Sequence, residues 1–401
     1  MTTQTPPETD EPPLRIDDDD RYGRLRLISW WRQERLAAAR ILVVGAGALG
    51  NEVLKNLALV GVGTTYVVDL DEVEPSNLSR SVLFRAEDGG QPKAAVAARR
   101  AAELNPEVAF VPIHGDVVTD VGLGLFAHVD LAIGCLDNRE ARLWVNRQCW
   151  KVGVPWIDAG IQEIQGVVKV FTPPASACYE CTMTERDYQL LNLRYSCPLL
   201  RRDEILAGKV PTAPTIASMM AALQVQEALK LLHGMAGSAG TAMVFNGVGN
   251  QFYTTKLPFR EDCLSHESYP LPTPLPIGRS ATVRDLFDAA AAGGLSGPMT
   301  LGLDRELVEA VECPHCGERR EIMRPRTRVR QSEAACAGCG RDGRPILASA
   351  IVEGSPLAAR TLAEVGVPAF DVVRVDGGGE SRFFLLDGDR ESALSGRGAA
   401  P

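Results

Sequence analysis

No stretch of this 401-residue chain stays apolar long enough to cross a bilayer as a helix. The first residues have neither a basic start nor an apolar run, so they do not read as a signal peptide. Positive charge is not in excess. Forty-two Lys and Arg face 51 Asp and Glu, and the net charge of −9 argues against a general nucleic-acid or membrane-surface binder. No internal repeat is visible. These absences place the protein, as an expectation, in the cytoplasm with no nucleic-acid or membrane partner.

What is present suits a globular protein, with 45% hydrophobic and 23% charged residues. The length suits two or three domains. Residues 1–20 form a polar, proline-containing tail ending in four aspartates, and are expected to be disordered because they offer little apolar surface to bury. Of the ten cysteines, six fall in Cys-x-x-Cys pairs: Cys178/Cys181, Cys313/Cys316 and Cys336/Cys339. In a reducing cell that spacing reads as metal ligation, not as disulfides.

The fold class reads as α/β, a Rossmann-like, mostly parallel sheet followed by a small C-terminal zinc-ribbon α+β region. An apolar, β-branched run at 41–44 leads into Gly45-Ala46-Gly47-Ala48-Leu49-Gly50 and then a helical pattern at 52–60. Strands are predicted at 64–68, 108–112, 130–133, 155–158 and 167–171, with helices at 93–104, 139–152 and 212–233 and a hairpin at 241–256. Repeated strand–helix–strand units predict a parallel sheet covered by helices. A Pro-rich linker is expected at 269–281, a helix and cysteine cluster at 282–345, a small α/β region at 346–392 and a disordered tail at 393–401.

The glycine turn has a mechanical reading. Gly45 permits the tight turn, Gly47 admits a phosphate close to the backbone, and Gly50 lets helix pack on strand. The following helix N-terminus offers free N–H groups to an anion. Asp69, ending the next strand, is positioned for a ribose hydroxyl. By itself this pattern is ambiguous, and between strand and helix it usually marks a dinucleotide enzyme. Arg80 and Lys93 favour a triphosphate, whose charges must be neutralised as pyrophosphate leaves. The competing reading of that pair is solvated surface charge.

The stretch from Asp69 to Phe84, with Ser76-Asn77-Leu78-Ser79-Arg80 at its centre, resembles the MoeB/ThiF/HesA family, which includes the adenylation domains of ubiquitin-activating enzymes. Arg21-Tyr22-Gly23-Arg24, Cys135-Leu136-Asp137-Asn138 with Arg142 and Asn146, Cys178-Tyr179-Glu180-Cys181, and Gln224 with Glu227-Ala228-Leu229-Lys230 resemble further motifs of that family, in its order, over residues 21–268. The resemblance implies roles. Gly45, Gly47 and Gly50 form the nucleotide loop, Asp69 binds ribose, and Asn77, Arg80 and Lys93 contact phosphates. Asp137 acts through Mg²⁺, and Arg24 reaches a neighbouring subunit's site, which implies a homodimer. Leu25 and Ser81 replace glutamines that are common in the family.

The activity implied is ATP-dependent adenylation of the C-terminal carboxylate of a small ubiquitin-like or sulfur-carrier protein, with a conjugating enzyme as a further partner. The carboxylate is already ionised at neutral pH, so no general base is required. A small peptide substrate remains an alternative. So do an NAD- or FAD-dependent oxidoreductase on the same nucleotide fold and a non-catalytic scaffold with a degenerate site.

Cys313, Cys316, Cys336 and Cys339 have the spacing of a zinc ribbon, each pair followed by glycine. For Cys178 and Cys181 the family supplies a second pair after the terminal hairpin, where this chain has Cys263-Leu264-Ser265-His266, implying a Cys₃His zinc site. Two zinc sites are therefore expected. Ubiquitin-activating relatives often pass the activated carboxylate to a cysteine whose position falls near Ala207, where this chain has none. Cys197, with Arg194, Arg201 and Arg202 nearby, is the candidate nucleophile because neighbouring cations favour a thiolate. Thr212, Thr215 or direct transfer are the alternatives. Cys135 and Cys149 read as small core residues.

Overall fold

Ile41, Leu42, Val43 and Val44 are all buried, as expected of a central strand covered on both faces. The computed structural model describes residues 19–189, 211–235 and 237–396. In it a short helix α1 (Gln33–Ala38) leads into β1 (Arg40–Val44), α2 (Ala48–Val60), β2 (Thr64–Asp69), α3 (Lys93–Leu104) and β3 (Ala109–His114). Then come α4 (Leu123–His128), β4 (Leu131–Gly134), α5 (Arg139–Val152), β5 (Trp156–Gln162), β6 (Gln165–Phe171), α6 (Pro214–Leu232), β7 (Thr241–Asn246) and β8 (Gln251–Lys256).

These eight strands form one sheet in the order β3-β2-β1-β4-β5-β6-β7-β8. The first five are parallel, with Val44 aligned to Val68 on one side and to Gly134 on the other. The last three join antiparallel. Side chains alternate across a strand, and the core follows that rule. Ile41 and Val43 pack with α2, α3 and α6, while Leu42 and Val44 pack with α4 and α5.

Local chemistry sets the helix ends. Asn138 caps α5, its side chain accepting from the Ala141 N–H at 2.8 Å, and the helix stops at Gly153 in the left-handed region. Helix α6 begins at Pro214, which is tolerated in a first turn because its missing N–H has no helical partner there.

The C-terminal part is one unit, which corrects the division into 282–345 and 346–392. It contains β9 (Thr273–Leu275), α7 (Val283–Ala292), β10 (Met299–Glu312), β11 (Arg319–Pro325), β12 (Arg344–Val352), β13 (Val372–Gly377), β14 (Glu380–Leu386) and α8 (Arg390–Leu394). All six strands share one sheet, because β10 pairs with β11, β12 and β13 together. The stretch expected as a linker supplies β9, which lies parallel to β14 with Leu275 buried. The tail expected at 393–401 begins inside α8, and Gly396 packs against the Pro112 backbone; residues 397–401 lie outside the described residues. Of the acidic N-terminal tail only Asp19 and Asp20 are described, and Asp20 accepts from the Tyr22 N–H at 2.9 Å and from Arg26 at 2.8 Å.

The two units are fused. A register shift in β10 between Gly302 and Leu307 pushes extra residues out of the ladder. Among them, Asp304 pairs with Lys151 of α5 at 2.7 Å. Arg305 pairs with Asp371 at 3.1 Å, donates to the Val118 and Val121 carbonyls, and lies 4.5 Å from the Trp144 ring centroid. Asp371 in turn accepts from the Leu123 N–H at 2.6 Å, at the start of α4. Arg305 and Asp371 are 7% and 8% exposed, so each depends on the other for its charge to stay buried.

Candidate active site and metal-ligand clusters

Strand order reverses at β1, between β2 and β4, and the carboxyl ends of these parallel strands therefore open a crevice at one edge. The loops after β1, β2 and β4 all emerge there. Gly45 and Asp137 lie in these loops, and Asp69 is the last residue of β2. The Gly45 N–H donates to the Val68 carbonyl and the Cys135 N–H to the Val44 carbonyl, both at 2.8 Å, so the three loops start in register.

The glycines differ in what surrounds them. A Cβ on Gly50 would stand 2.9 Å from the Gly45 carbonyl carbon and nearer still to its oxygen, so Gly50 is required for helix-on-loop packing. A Cβ on Gly47 would meet nothing within 4 Å. Gly47 is thus the open face of the loop, at the N-cap of α2 where helix N–H groups and dipole favour an anion.

Asp69 faces back onto the loop. Its carboxylate accepts from the Ala46 N–H at 2.6 Å and the Asp71 N–H at 2.8 Å. Burial raises its pKa, and those two N–H groups oppose the rise. Lys93 begins α3, and its ammonium lies 2.9 Å from Asp71. Arg80 donates to the Ser76 carbonyl at 2.8 Å. Asn77 is buried, with Oδ1 accepting from the Glu74 N–H at 2.9 Å, so it shapes the turn that carries Arg80. Asp137 is exposed, immediately before the N-cap of α5. Arg24 is exposed on the N-terminal segment, where its side chain makes no ion pair among the described residues. Cys197 and the 190–210 stretch lie outside the described residues, and with them the region around Ala207.

Both cysteine clusters assemble. Cys178, Cys181, Cys263 and His266 place one ligand atom each within 4.8 Å of one another, as do Cys313, Cys316, Cys336 and Cys339. In the first, Cys178 Sγ is 3.7 Å from Cys181 Sγ and 3.5 Å from Cys263 Sγ, and Cys181 Sγ is 3.4 Å from His266 Nε2. In the second, Cys313 Sγ is 3.5 Å from Cys339 Sγ and Cys316 Sγ is 3.4 Å from Cys336 Sγ. Zn–S bonds of about 2.3 Å in a tetrahedron separate sulfurs by about 3.8 Å, so both clusters fit a tetrahedral ion after small adjustments.

The second cluster is built from two matching knuckles. The Cys313 N–H donates to the Glu318 carbonyl and the Gly317 N–H to the Cys313 carbonyl; Cys336, Arg341 and Gly340 repeat the pattern. Gly317 and Gly340 both have positive φ, which explains the glycine after each pair. Backbone N–H groups of His315 and Cys316 draw the Cys313 thiol pKa down to about 6. Cys135 and Cys149 are buried and their thiol pKa values are raised by desolvation, as core residues should be.

Residues 20–265 match the ThiF family. The chain belongs to that family. It is 31% identical over 232 residues to the sulfur carrier protein ThiS adenylyltransferase of Escherichia coli (strain K12), covering 58% of this chain and 87% of that protein. It is 32% identical over 264 residues to mouse adenylyltransferase and sulfurtransferase MOCS3, covering 65% and 55%. Against SUMO-activating enzyme subunit 2 of Dictyostelium discoideum the identity is 40% over 149 residues, 37% of this chain but only 22% of that one. In fold the chain is similar to Escherichia coli MccB, solved with ATP, at a TM-score of 0.52 with 24% identity over 64% of this chain and 76% of the other. The match ends before the C-terminal sheet, which this ThiF-family chain carries in addition.

Four residues that shape the site of this ThiF-family protein have no role assigned from the sequence. Asn51 is fully buried; its amide donates to the Ala46 carbonyl at 2.7 Å and accepts from the Leu83 N–H at 2.8 Å, tying the glycine loop to the segment after Arg80. Gln224 of α6 donates to the Gly134 carbonyl at 2.8 Å, just before the loop of Asp137. Arg142 donates to Asp158 at 3.0 Å, the Leu136 carbonyl at 2.6 Å and the Ala159 carbonyl at 2.9 Å, fixing that loop on β5. Burial raises the Asp158 pKa against the pull of Arg142. Asn51 and Asp158 sit in runs of ordinary helix and strand character, so nothing in the sequence marks them. Gln224 and Arg142 stand in the motifs quoted for the resemblance, but with no role attached.

Proposed function

We propose that this protein is an ATP-dependent adenylyltransferase that activates the C-terminal carboxylate of a small ubiquitin-like or sulfur-carrier protein and releases pyrophosphate. The observation that carries this reading is the ThiF-family match over residues 20–265. The open face at Gly47, at the head of α2, supports it.

The chemistry follows from the charges. A substrate carboxylate attacks the α-phosphorus of ATP, and negative charge moves onto departing pyrophosphate. The loop N–H groups and the α2 N-terminus offer positive partial charge to phosphate oxygens. Arg80 and Lys93 supply full charges, and Asp69 binds ribose while bracing the loop. Asp137 is an exposed carboxylate, a hard oxygen ligand of the kind Mg²⁺ takes alongside water and phosphates. When bound, that ion neutralises phosphate charge as a Lewis acid. The protein's part is positioning and electrostatics.

Zinc is the ion proposed for both cysteine clusters, in a structural role. A reducing, cytoplasmic setting keeps such cysteines as thiols. Arg24 is assigned to the other subunit's site of a homodimer, with a conjugating enzyme as a downstream partner. Cys197 is the proposed acceptor of the activated carboxylate; a thiol-sensitive adduct lost in Cys197→Ala, with adenylation retained, is the expected sign.

The test is exchange of labelled pyrophosphate into ATP, assayed with the small Gly-Gly-ending carriers of the source organism. Exchange should need carrier and Mg²⁺, and Lys93→Ala and Asp137→Ala should each abolish it. Wild-type exchange in both variants would overturn the site assignment.

A further inference from the structure

Helix α5 runs from the Asp137 loop to the Cys178 cluster, and one buried amide on it has a donor left over. Asn146 is fully buried. Its Oδ1 accepts from the Tyr179 N–H at 2.8 Å and from the Trp156 indole N–H at 3.3 Å. Two donors on one atom fix the amide orientation, because a flipped amide would turn its NH₂ toward them. Nδ2 therefore faces the other way, and among the described residues it completes no hydrogen bond. A buried donor left without an acceptor is destabilising, so an acceptor is expected for it.

The residue before Tyr179 is Cys178, itself fully buried. The Asn146 amide is thus held against the backbone of the residue that follows this thiol, with its spare donor buried beside the cluster. A thiol sulfur is a weak acceptor, which accounts for the unfinished bond; a metal-bound sulfur is a thiolate and accepts well. One turn further along α5, Trp150 stacks on the His266 ring, with centroids 4.1 Å apart and planes 11° apart. Two of the four ligands are thus held by one face of one helix.

Resting on the metal reading given above, we propose that Asn146 is a positioning residue of the Cys178/Cys181/Cys263/His266 site, donating from Nδ2 to the metal-bound Cys178 thiolate. Three thiolates and an imidazole around a divalent ion leave a net negative charge in a buried place. An N–H aimed at sulfur disperses that charge and orients the ligand.

The test uses the full-length protein loaded with zinc, and transfer of zinc to a chromophoric chelator. The cysteine ribbon serves as an internal reference. Asn146→Asp keeps the acceptor for Tyr179 and Trp156 and removes the donor; Asn146→Ala removes both. The expected result is a 10–100-fold loss of zinc affinity at this site in both variants, with the ribbon's zinc unaffected. Wild-type retention in both variants overturns the proposal while leaving the metal site standing. Failure of the metal reading looks different: Cys178→Ser would then leave the wild-type zinc content unchanged. Should the variants not fold, ¹¹³Cd-loaded wild-type protein labelled with ¹⁵N-asparagine decides. A cadmium coupling to the Asn146 amide protons is expected, and its absence refutes the hydrogen bond.

Discussion

Gly47 caps α2 and Gly50 lies in its first turn, and the structure gives them different consequences on substitution by alanine. At Gly50 the new Cβ would lie 2.9 Å from the Gly45 carbonyl carbon, a backbone group that cannot rotate away. Forcing one carbon into such a contact costs about 3 kcal/mol, at the upper end for overpacking. For a unit of this size that lowers Tm by about 6–12 °C. At Gly47 the Cβ enters open space, and the backbone is already extended with φ −74°. The only structural cost is an alanine at an N-cap, about 1 kcal/mol, hence a Tm lower by about 2–4 °C. That same methyl stands where phosphate approaches the loop, so Gly47→Ala should weaken ATP binding by at least about tenfold, or 1.4 kcal/mol. Thermal unfolding followed by circular dichroism and ATP titration by calorimetry read the two effects separately. Equal Tm values for the two variants, or wild-type ATP affinity in Gly47→Ala, would refute the reasoning.

Metal analysis should find two zinc ions per chain, with Cys313→Ser and Cys178→Ser each removing one; loss of the ribbon's ion should unfold the β10–β12 tip, seen as faster amide exchange there. Arg24→Ala and Lys93→Ala proteins, each inactive, should regain part of the exchange activity when mixed, because one hybrid site is intact; no recovery from a mixture shown to contain heterodimers would count against the crossing arginine. Arg305→Met leaves Asp371 buried and unpaired, and should destabilise the protein by about 3–5 kcal/mol in denaturant unfolding. A change below about 1 kcal/mol would mean that the pair does not hold the two units together.

Features carried by short-range pattern were legible in the sequence. The strand at β1, the glycine turn and helix α5 follow from local spacing, and the ribbon cysteines stand where two Cys-x-x-Cys-Gly knuckles require them. The C-terminal sheet is not visible in local pattern, for a physical reason. Strand β10 joins β12 and β13 across long separations, and a Pro-rich stretch becomes β9 only because β14 lies beside it. Asn51, Asp158 and Arg305 were invisible for the same cause, since their partners are distant in sequence. His266, by contrast, was reached through the family resemblance, and it does meet Cys181 in space.

The central claim is that the α-phosphoryl group of ATP becomes attached to a carrier's C-terminal carboxylate. The most direct measurement follows label from [α-³²P]ATP and, separately, from [γ-³²P]ATP in the presence of enzyme, Mg²⁺ and a Gly-Gly-ending carrier. The account predicts acid-stable label on the carrier from the α position only, absent with Asp137→Ala enzyme and absent when the carrier's last glycine is removed. Label from the γ position, or none from either position with carriers that bind the enzyme, would contradict it.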